Sequence, residues 1–411
     1  MKLSARQTAN VEGEILRLVR AHAGISRIAL ARALQIAPST VGNYAERLIT
    51  EGFLIDSSTV GHKPGRPASA LRLNPDCGHF IGVDFEARTL MAMAVDFSDT
   101  PLRQAHKDIA ATDSVKEIIT KIEEAIAEVQ LEPEGRLLAI GVGVPGLVQP
   151  AEGIAVHYKY INGWQNVPLA AVLTKRFGVP VYLENTVRSM ALAELWFGQG
   201  RGLKDWLCIG MRSGLGVGIV AGGQLQQGAT CRAGEIGRWL SPLPPGKAAR
   251  FFTPPDSPPP ASVELQEVVS VRSILAALER ARQAKEKSLL FSQDQPIVFA
   301  DVVRAARQRD RLTLQVVEVA SRKLAWAVAQ LALALNPSHV ILAGPLTLLG
   351  DILLQPLRRR ADEILNGSNA SLPTIINSTI GEFSGAFGAA ALAVHEWRPH
   401  RARSRLLPQA R

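Results

Sequence analysis

The chain is poor in cysteine and aromatic residues and has no long apolar run. Three cysteines (Cys77, Cys208, Cys231) stand far apart in 411 residues, in no metal-ligand spacing. Neither a disulfide framework nor a thiolate zinc site is therefore expected, and a reduced cytoplasmic compartment is the simple expectation. The longest apolar tract, "LAWAVAQLALAL" (324–335), is interrupted by Gln330 and is shorter than the ~20 residues of a bilayer span. The opening "MKLSARQTANVEGEIL" carries no apolar signal-peptide core, so no secretion and no membrane partner are expected. What is present is ordinary for globular protein: 47% apolar and 20% charged residues, over a length that suggests two or three domains.

Acidic residues are scarce at the two ends, and this locates the net charge of +9. Residues 1–75 hold ten Lys/Arg against five Asp/Glu, and residues 398–411 hold five arginines and no acid. The middle is almost neutral. A polyanion-binding module at the front is the natural inference, with 398–411 as a basic tail.

The front segment has the pattern of a winged helix-turn-helix over residues 1–75. "VEGEILRLVRAHAG" places apolar residues at 11, 15, 18 and 19 on one helical stripe, ended by Gly24. "SRIALARALQIAPSTVGNYAERLITEGFL" reads as two short helices about a tight turn, with Ser26 as N-cap and Pro38 in the first turn of the second. On that second helix Val41, Ala45, Leu48 and Ile49 face a core. Ser39, Thr40, Asn43, Tyr44 and Arg47 are assigned to the other face, a set suited to base edges and phosphates of double-stranded DNA. "FLIDSS" and "SALRLN" form a hairpin whose tip, "TVGHKPGRPA", offers Lys63 and Arg66 to a phosphate backbone or minor groove.

From residue 78 apolar strands alternate with amphipathic helices. "HFIGVDFEARTLMAMAVDF" (79–97) and "DWLCIGMRSGLGVGIVAGGQLQQG" (205–228) are both strand–turn–strand units. Each opens an α/β half, which predicts duplicated lobes around a cleft. In "VYLENTVRSMALAE" (181–194) a strand gives way to a helix at Glu184 and Asn185. An α/β enzyme often sets its polar working groups at such a junction. The next residue, Thr186, is no general base near neutral pH.

The run "SRIALARAL", "GRPASALRLNP", "GVGVPG", "NGW", "PVYLEN", "AGEIG" and "GAFGAAALA" resembles the ROK family of sugar-responsive repressors and sugar kinases over nearly the whole chain. The resemblance implies an actin-like ATPase fold in two α/β lobes over residues 78–397. The winged helix implies the repressor branch, usually homodimers or homotetramers. Kinases of the family have an Asp directly after the Asn of their "EN-D" motif; here Thr186 occupies that place. Their phosphate-cradling turns need small residues, whereas "DFEARTL" has Glu86 and Arg88 after Asp84, and "MRSGLGVG" has Arg212 and Ser213. The glycines that remain (214, 216, 218) are assigned to a tight hairpin. Phosphoryl transfer is not expected, so no catalytic residue and no cofactor is assigned. The family's zinc site is also missing: Arg238 replaces its His, and 242–262 is a cysteine-free loop with eight prolines between 242 and 260, expected to be extended or disordered. Gln266 takes the place of the Glu that ends the zinc-loop motif.

The resemblance places a small-molecule effector against Asn185, Thr186, Glu235, Arg238 and Gln266. One carboxylate and one permanent cation there suit a sugar, sugar acid or phosphosugar, with Arg238 favouring an anionic group. The expected function is a DNA-binding transcriptional regulator, a repressor controlled by that effector. Two alternatives stay open: an ATP-dependent sugar kinase with an accessory DNA-binding domain, and a regulator controlled by a docked protein partner.

Overall fold

The structure is a computed structural model that describes residues 5–57, 70–131, 135–243, 247–253, 261–291, 295–367 and 370–399. Lys63, Arg66 and the tail from residue 400 lie outside the described residues. Two compact units are present, Met1–Glu184 with Ala389–Arg411, and Asn185–Gly388.

The first unit begins with three helices, α1 (Ala5–Ala21), α2 (Arg27–Leu34) and α3 (Pro38–Thr50). Ser26 caps α2, its hydroxyl accepting from the Ala29 amide at 3.2 Å, and Pro38 opens α3, where a missing N–H costs nothing. Ile15, Val19, Leu30, Val41, Ala45, Leu48, Leu54 and Leu71 close a core between these helices and the wing. The expected hairpin is Leu54–Ser57 paired antiparallel with Ala70–Leu73. A third strand, Ile25–Ser26, completes the sheet by pairing with Leu71 and Ala70. Two residues are too few to show an alternation, which is why the sequence does not betray it.

The remainder of the first unit is built on a five-stranded mixed sheet in the order Val181–Asn185, Leu137–Val144, His79–Phe85, Thr89–Asp96, Pro101–Asp108. The last three strands form an antiparallel meander, while His79–Phe85 and Leu137–Val144 run parallel. The outermost strand, Pro101–Asp108, was not anticipated; it is an edge strand with a mostly exposed, polar burial pattern. Helix Val115–Val129 starts in a capping box between Ser114 and Glu117 and buries Ile118, Ile122, Ala125, Ile126 and Val129.

The winged head is packed onto this lobe. Phe53, which follows the turn after α3, lies 5.6 Å from Phe97 and 5.4 Å from Trp397, ring centroid to centroid. Phe80 joins the same cluster. Arg20 of α1 donates to the Phe97 carbonyl at 2.8 Å and pairs with Asp99 at 2.8 Å. Burial pushes the Asp99 carboxyl up to about 6, against the lowering pull of Arg20.

The second unit repeats the sheet order: Thr374–Asn377, His339–Ala343, Trp206–Met211, Leu215–Ala221, Gln224–Gln226. Again a three-stranded antiparallel meander adjoins parallel strands. Helix Arg311–Leu335 is buried along most of its length. The chain is thus a winged helix-turn-helix followed by two α/β lobes of one topology. The Pro-rich stretch departs from expectation. Residues 247–252 form a short 3-10 helix that buries Ala248, Ala249, Phe251 and Phe252 in the core of the second unit. Leu240–Ser241 and Val263–Glu264, flanking it, pair antiparallel. Four apolar side chains in six residues outweigh the extended preference of the surrounding prolines.

Candidate functional site

On α3 the exposed residues are Ser39, Asn43, Glu46 and Thr50, with Thr40 and Arg47 half-buried. Their spacing of i, i+4, i+7 and i+11 makes one continuous ridge, as a helix laid in a major groove requires. Tyr44 is the correction. It is buried, because position 44 lies three residues after Val41 and four before Leu48, on the core stripe rather than the exposed face. Arg47 is also differently engaged from a free phosphate contact: its guanidinium stacks over the Tyr44 ring at 5.1 Å and pairs with the fully buried Glu12 of α1. Glu46 was missed. It projects from the ridge, and Arg27 at the start of α2 bridges it (2.6 Å) to Asp56 of the wing (2.9 Å). The 39–43–46–50 spacing was the signal that could have found it.

The second site lies within the second unit, around the start of helix Thr186–Trp196. Asn185 is its N-cap: the side-chain oxygen accepts from the amides of Val187 (2.9 Å) and Arg188 (3.3 Å). Thr186, 5% exposed, has a buried hydroxyl with no hydrogen-bond partner. One turn on, the buried Arg188 donates to the carbonyls of Cys231 (3.0 Å) and Ala233 (3.5 Å). This guanidinium thereby fixes the loop that carries Glu235. Gly234 fixes it from the other side, with φ of +88° and a position where any Cβ would lie 1.8 Å from the Val217 carbonyl oxygen.

Glu235 is half-buried, and Arg238 approaches it at 3.7 Å. Burial raises the Glu235 carboxyl above the usual carboxylate range, opposed by the charges of Arg238, Arg188 and Arg232. A Cβ on Gly237 would sit 3.2 Å from the side-chain oxygen of Gln266, so Gln266 borders the same loop. Its amide nitrogen donates to Glu264 at 2.5 Å. The segments carrying Asn185–Thr186, Glu235–Arg238 and Gln266 are therefore linked in one unit.

The glycines of the 206–221 meander serve a purpose other than the expected turn. A Cβ on Gly210 or Gly216 would meet Val187 at 2.7 or 3.1 Å, and one on Gly218 would meet Ala191 at 2.4 Å. They let helix Thr186–Trp196 lie close on the sheet. Gly214 alone sits at the turn. The residues do not fit a resident zinc ion: Arg238 stands beside Glu235, Cys208 is buried within a strand, and no three His, Cys, Asp or Glu gather among the described residues. In the first unit Asp84 and Glu86 are both buried.

Comparison with known proteins adds the following. The ROK family model matches residues 80–396, and a model for winged helix-turn-helix DNA-binding domains matches residues 11–55. A putative xylose repressor of Caldicellulosiruptor sp. (strain Rt8B.4) is 27% identical over 352 residues, covering 84% of this chain and 85% of that protein. A glucokinase of Thermotoga maritima is 30% identical over 315 residues, covering 76% of this chain and 96% of that enzyme. The crystal structure of a ROK family transcriptional regulator, a homologue of the E. coli MLC protein, superposes with a TM-score of 0.75 at 22% identity, over 95% of this chain and 97% of that one. At that identity it is the fold that is shared.

Proposed function

The chain belongs to the ROK family, with a winged helix-turn-helix of the DNA-binding class ahead of the family domain, and from this premise we propose that it is a transcriptional repressor controlled by a small sugar-derived effector. The observation that carries the proposal is the ridge Ser39–Asn43–Glu46–Thr50, exposed on α3 of a head packed onto the first lobe. A head fixed in this way moves with its lobe, so an effector that selects one arrangement of the chain also selects the spacing of two reading heads in a homodimer or homotetramer. Asn43 pairs with adenine through its two-pronged amide, and the positive charge of the segment supplies the salt-dependent attraction to phosphates. Lys63 and Arg66 of the wing tip extend that contact. The effector lies against Asn185, Thr186, Glu235, Arg238 and Gln266.

Loss of kinase activity is part of the proposal. Where a phosphoryl transfer needs a carboxylate to take the hydroxyl proton, Thr186 offers a neutral hydroxyl. Among the described residues no helix is long and apolar enough to cross a membrane. A cytoplasmic DNA partner is consistent with that.

The test is selection of binding fragments from the DNA flanking the gene, followed by anisotropy titrations of the full chain with a sugar panel. Tight, salt-dependent binding released by one metabolite is expected. The glucokinase relative favours the second reading, a sugar kinase with an accessory head; steady turnover of ATP with any sugar of the panel would establish it and refute the first.

A further inference from the structure

The effector reading leaves open what chemistry the second unit selects. Three guanidiniums, those of Arg188, Arg232 and Arg238, bear on the single carboxylate of Glu235, which leaves two positive charges uncompensated among these four groups. Arg188 is committed: it is 2% exposed and spends its donors on the Cys231 and Ala233 carbonyls. The other two are not. Arg232 is exposed and makes no hydrogen bond or ion pair among the described residues. Arg238 has one partner there, Glu235, reached at 3.7 Å by its Nε. That is too long for a hydrogen bond, so the paired terminal N–H groups of its planar fork stay uncommitted.

A second observation marks the same place. Thr186, nine-tenths buried, holds a hydroxyl with neither donor nor acceptor in reach. A buried hydroxyl without a partner is costly unless something that binds there completes it. It opens the helix whose first amides, those of Val187 and Arg188, point towards its N-terminus, the positive end of the helix dipole.

We propose that the effector of this protein is an anion, a sugar derivative whose carboxylate or phosphate is gripped by Arg238 and Arg232 while a sugar hydroxyl completes Thr186. This rests on the effector-binding reading given above and narrows it. The mobile surface cations supply the charge match, and the buried Arg188 holds the loop that presents them. Glu235 between them sets an upper limit on the positive field and offers an acceptor for a neighbouring hydroxyl.

The test is calorimetry and thermal shift on the full chain with matched neutral and anionic probes: xylose and xylonate, glucose with gluconate, glucuronate and glucose 6-phosphate, N-acetylglucosamine and its 6-phosphate. At least one anionic member is expected to bind tenfold or more tightly than its neutral parent. The acid and phosphate arms tell the two anion sources apart. Arg238→Ala and Arg232→Ala should each weaken that binding by about tenfold, and Arg238→Lys should recover part of it. Unliganded melting temperature and DNA affinity should stay unchanged in the exposed-residue variants. Binding of a neutral sugar as tight as its anion, indifferent to both arginine variants, would leave the effector site standing and overturn the anionic inference. Anion binding that ignores both variants would overturn it too. No probe binding at all would overturn the effector reading together with this inference.

Discussion

Replacing Trp397 with alanine tests whether the head is rigidly joined to the first lobe. Trp397 is 4% exposed and stands edge-on to Phe53, Phe80 and Phe97 at 5.4, 5.8 and 5.7 Å. Phe53 is the head's contribution; the other two rings belong to the lobe's sheet and its adjoining turn. Deleting a buried indole costs ~3–5 kcal/mol, through lost transfer energy and the cavity left behind. About 0.5–1.5 kcal/mol of that belongs to each edge-to-face pair. The part that joins head to lobe is isolated by a double-mutant cycle of Trp397→Ala with Phe53→Ala. Because the rings touch, a coupling of roughly 0.5–2 kcal/mol is expected in urea unfolding followed by circular dichroism. The same variants should keep binding DNA at low temperature but respond less to the effector, since a loosened head no longer moves with its lobe. Strict additivity, with each single loss below ~1 kcal/mol, would refute a packed head and with it the proposed coupling.

Acid sensitivity should come in part from His79, buried at the start of its strand with both ring nitrogens unpartnered and held down at about 4 by burial first and Arg103 second. Its folded value lies below the ordinary ~6.5, so its contribution is present above pH 6.5 and lost as pH falls through 4, by roughly 3 kcal/mol in all; His79→Leu should flatten that limb of a stability-versus-pH curve. Gly218→Ala should destabilise by ~1–3 kcal/mol in the same unfolding assay, since the new Cβ meets Ala191 at 2.4 Å; an unchanged midpoint would mean the helix is not packed there. Arg47→Ala should lower the head's stability by roughly 3 kcal/mol because it strands the buried Glu12, and Glu12→Gln with Arg47→Ala should recover much of it; a loss of DNA affinity with no loss of stability would restore Arg47 as a simple phosphate contact. Elemental analysis of the purified chain should find no stoichiometric zinc, and one zinc per chain would show that the loop around Arg238 had been misjudged.

Most of the fold was legible because it is carried by strong periodic signals. The capped helix Val115–Val129, the apolar strands at 79–85, 137–144 and 206–211, and the Ser26 and Pro38 helix starts are all local in origin. What failed needed tertiary context. Ile25–Ser26 is a strand only because Ala70 and Leu71 come to it, and the 247–252 helix is held by a core that its own residues do not reveal.

The functional face of α3 shows why a site is harder to read than a fold. Tyr44 and Arg47 are polar at their tips, and a polar tip near a helix start invites assignment to DNA. Helical geometry sets Tyr44 on the core stripe with Val41 and Leu48, and a buried acid on another helix claims Arg47. Only the ridge that neither packing nor Glu12 uses is left to read bases: Ser39, Asn43, Glu46 and Thr50. Its acid has a consequence for sequence preference. A carboxylate accepts hydrogen bonds and donates none, so Glu46, steadied by Arg27 and Asp56, suits the N4 amino group of cytosine and repels a misplaced phosphate. If Glu46 reads a base, Glu46→Gln should relax preference at one position by ~1–3 kcal/mol while leaving the salt dependence of binding nearly unchanged. Binding weakened equally for every DNA sequence would instead assign Glu46 to the Arg27 bridge alone.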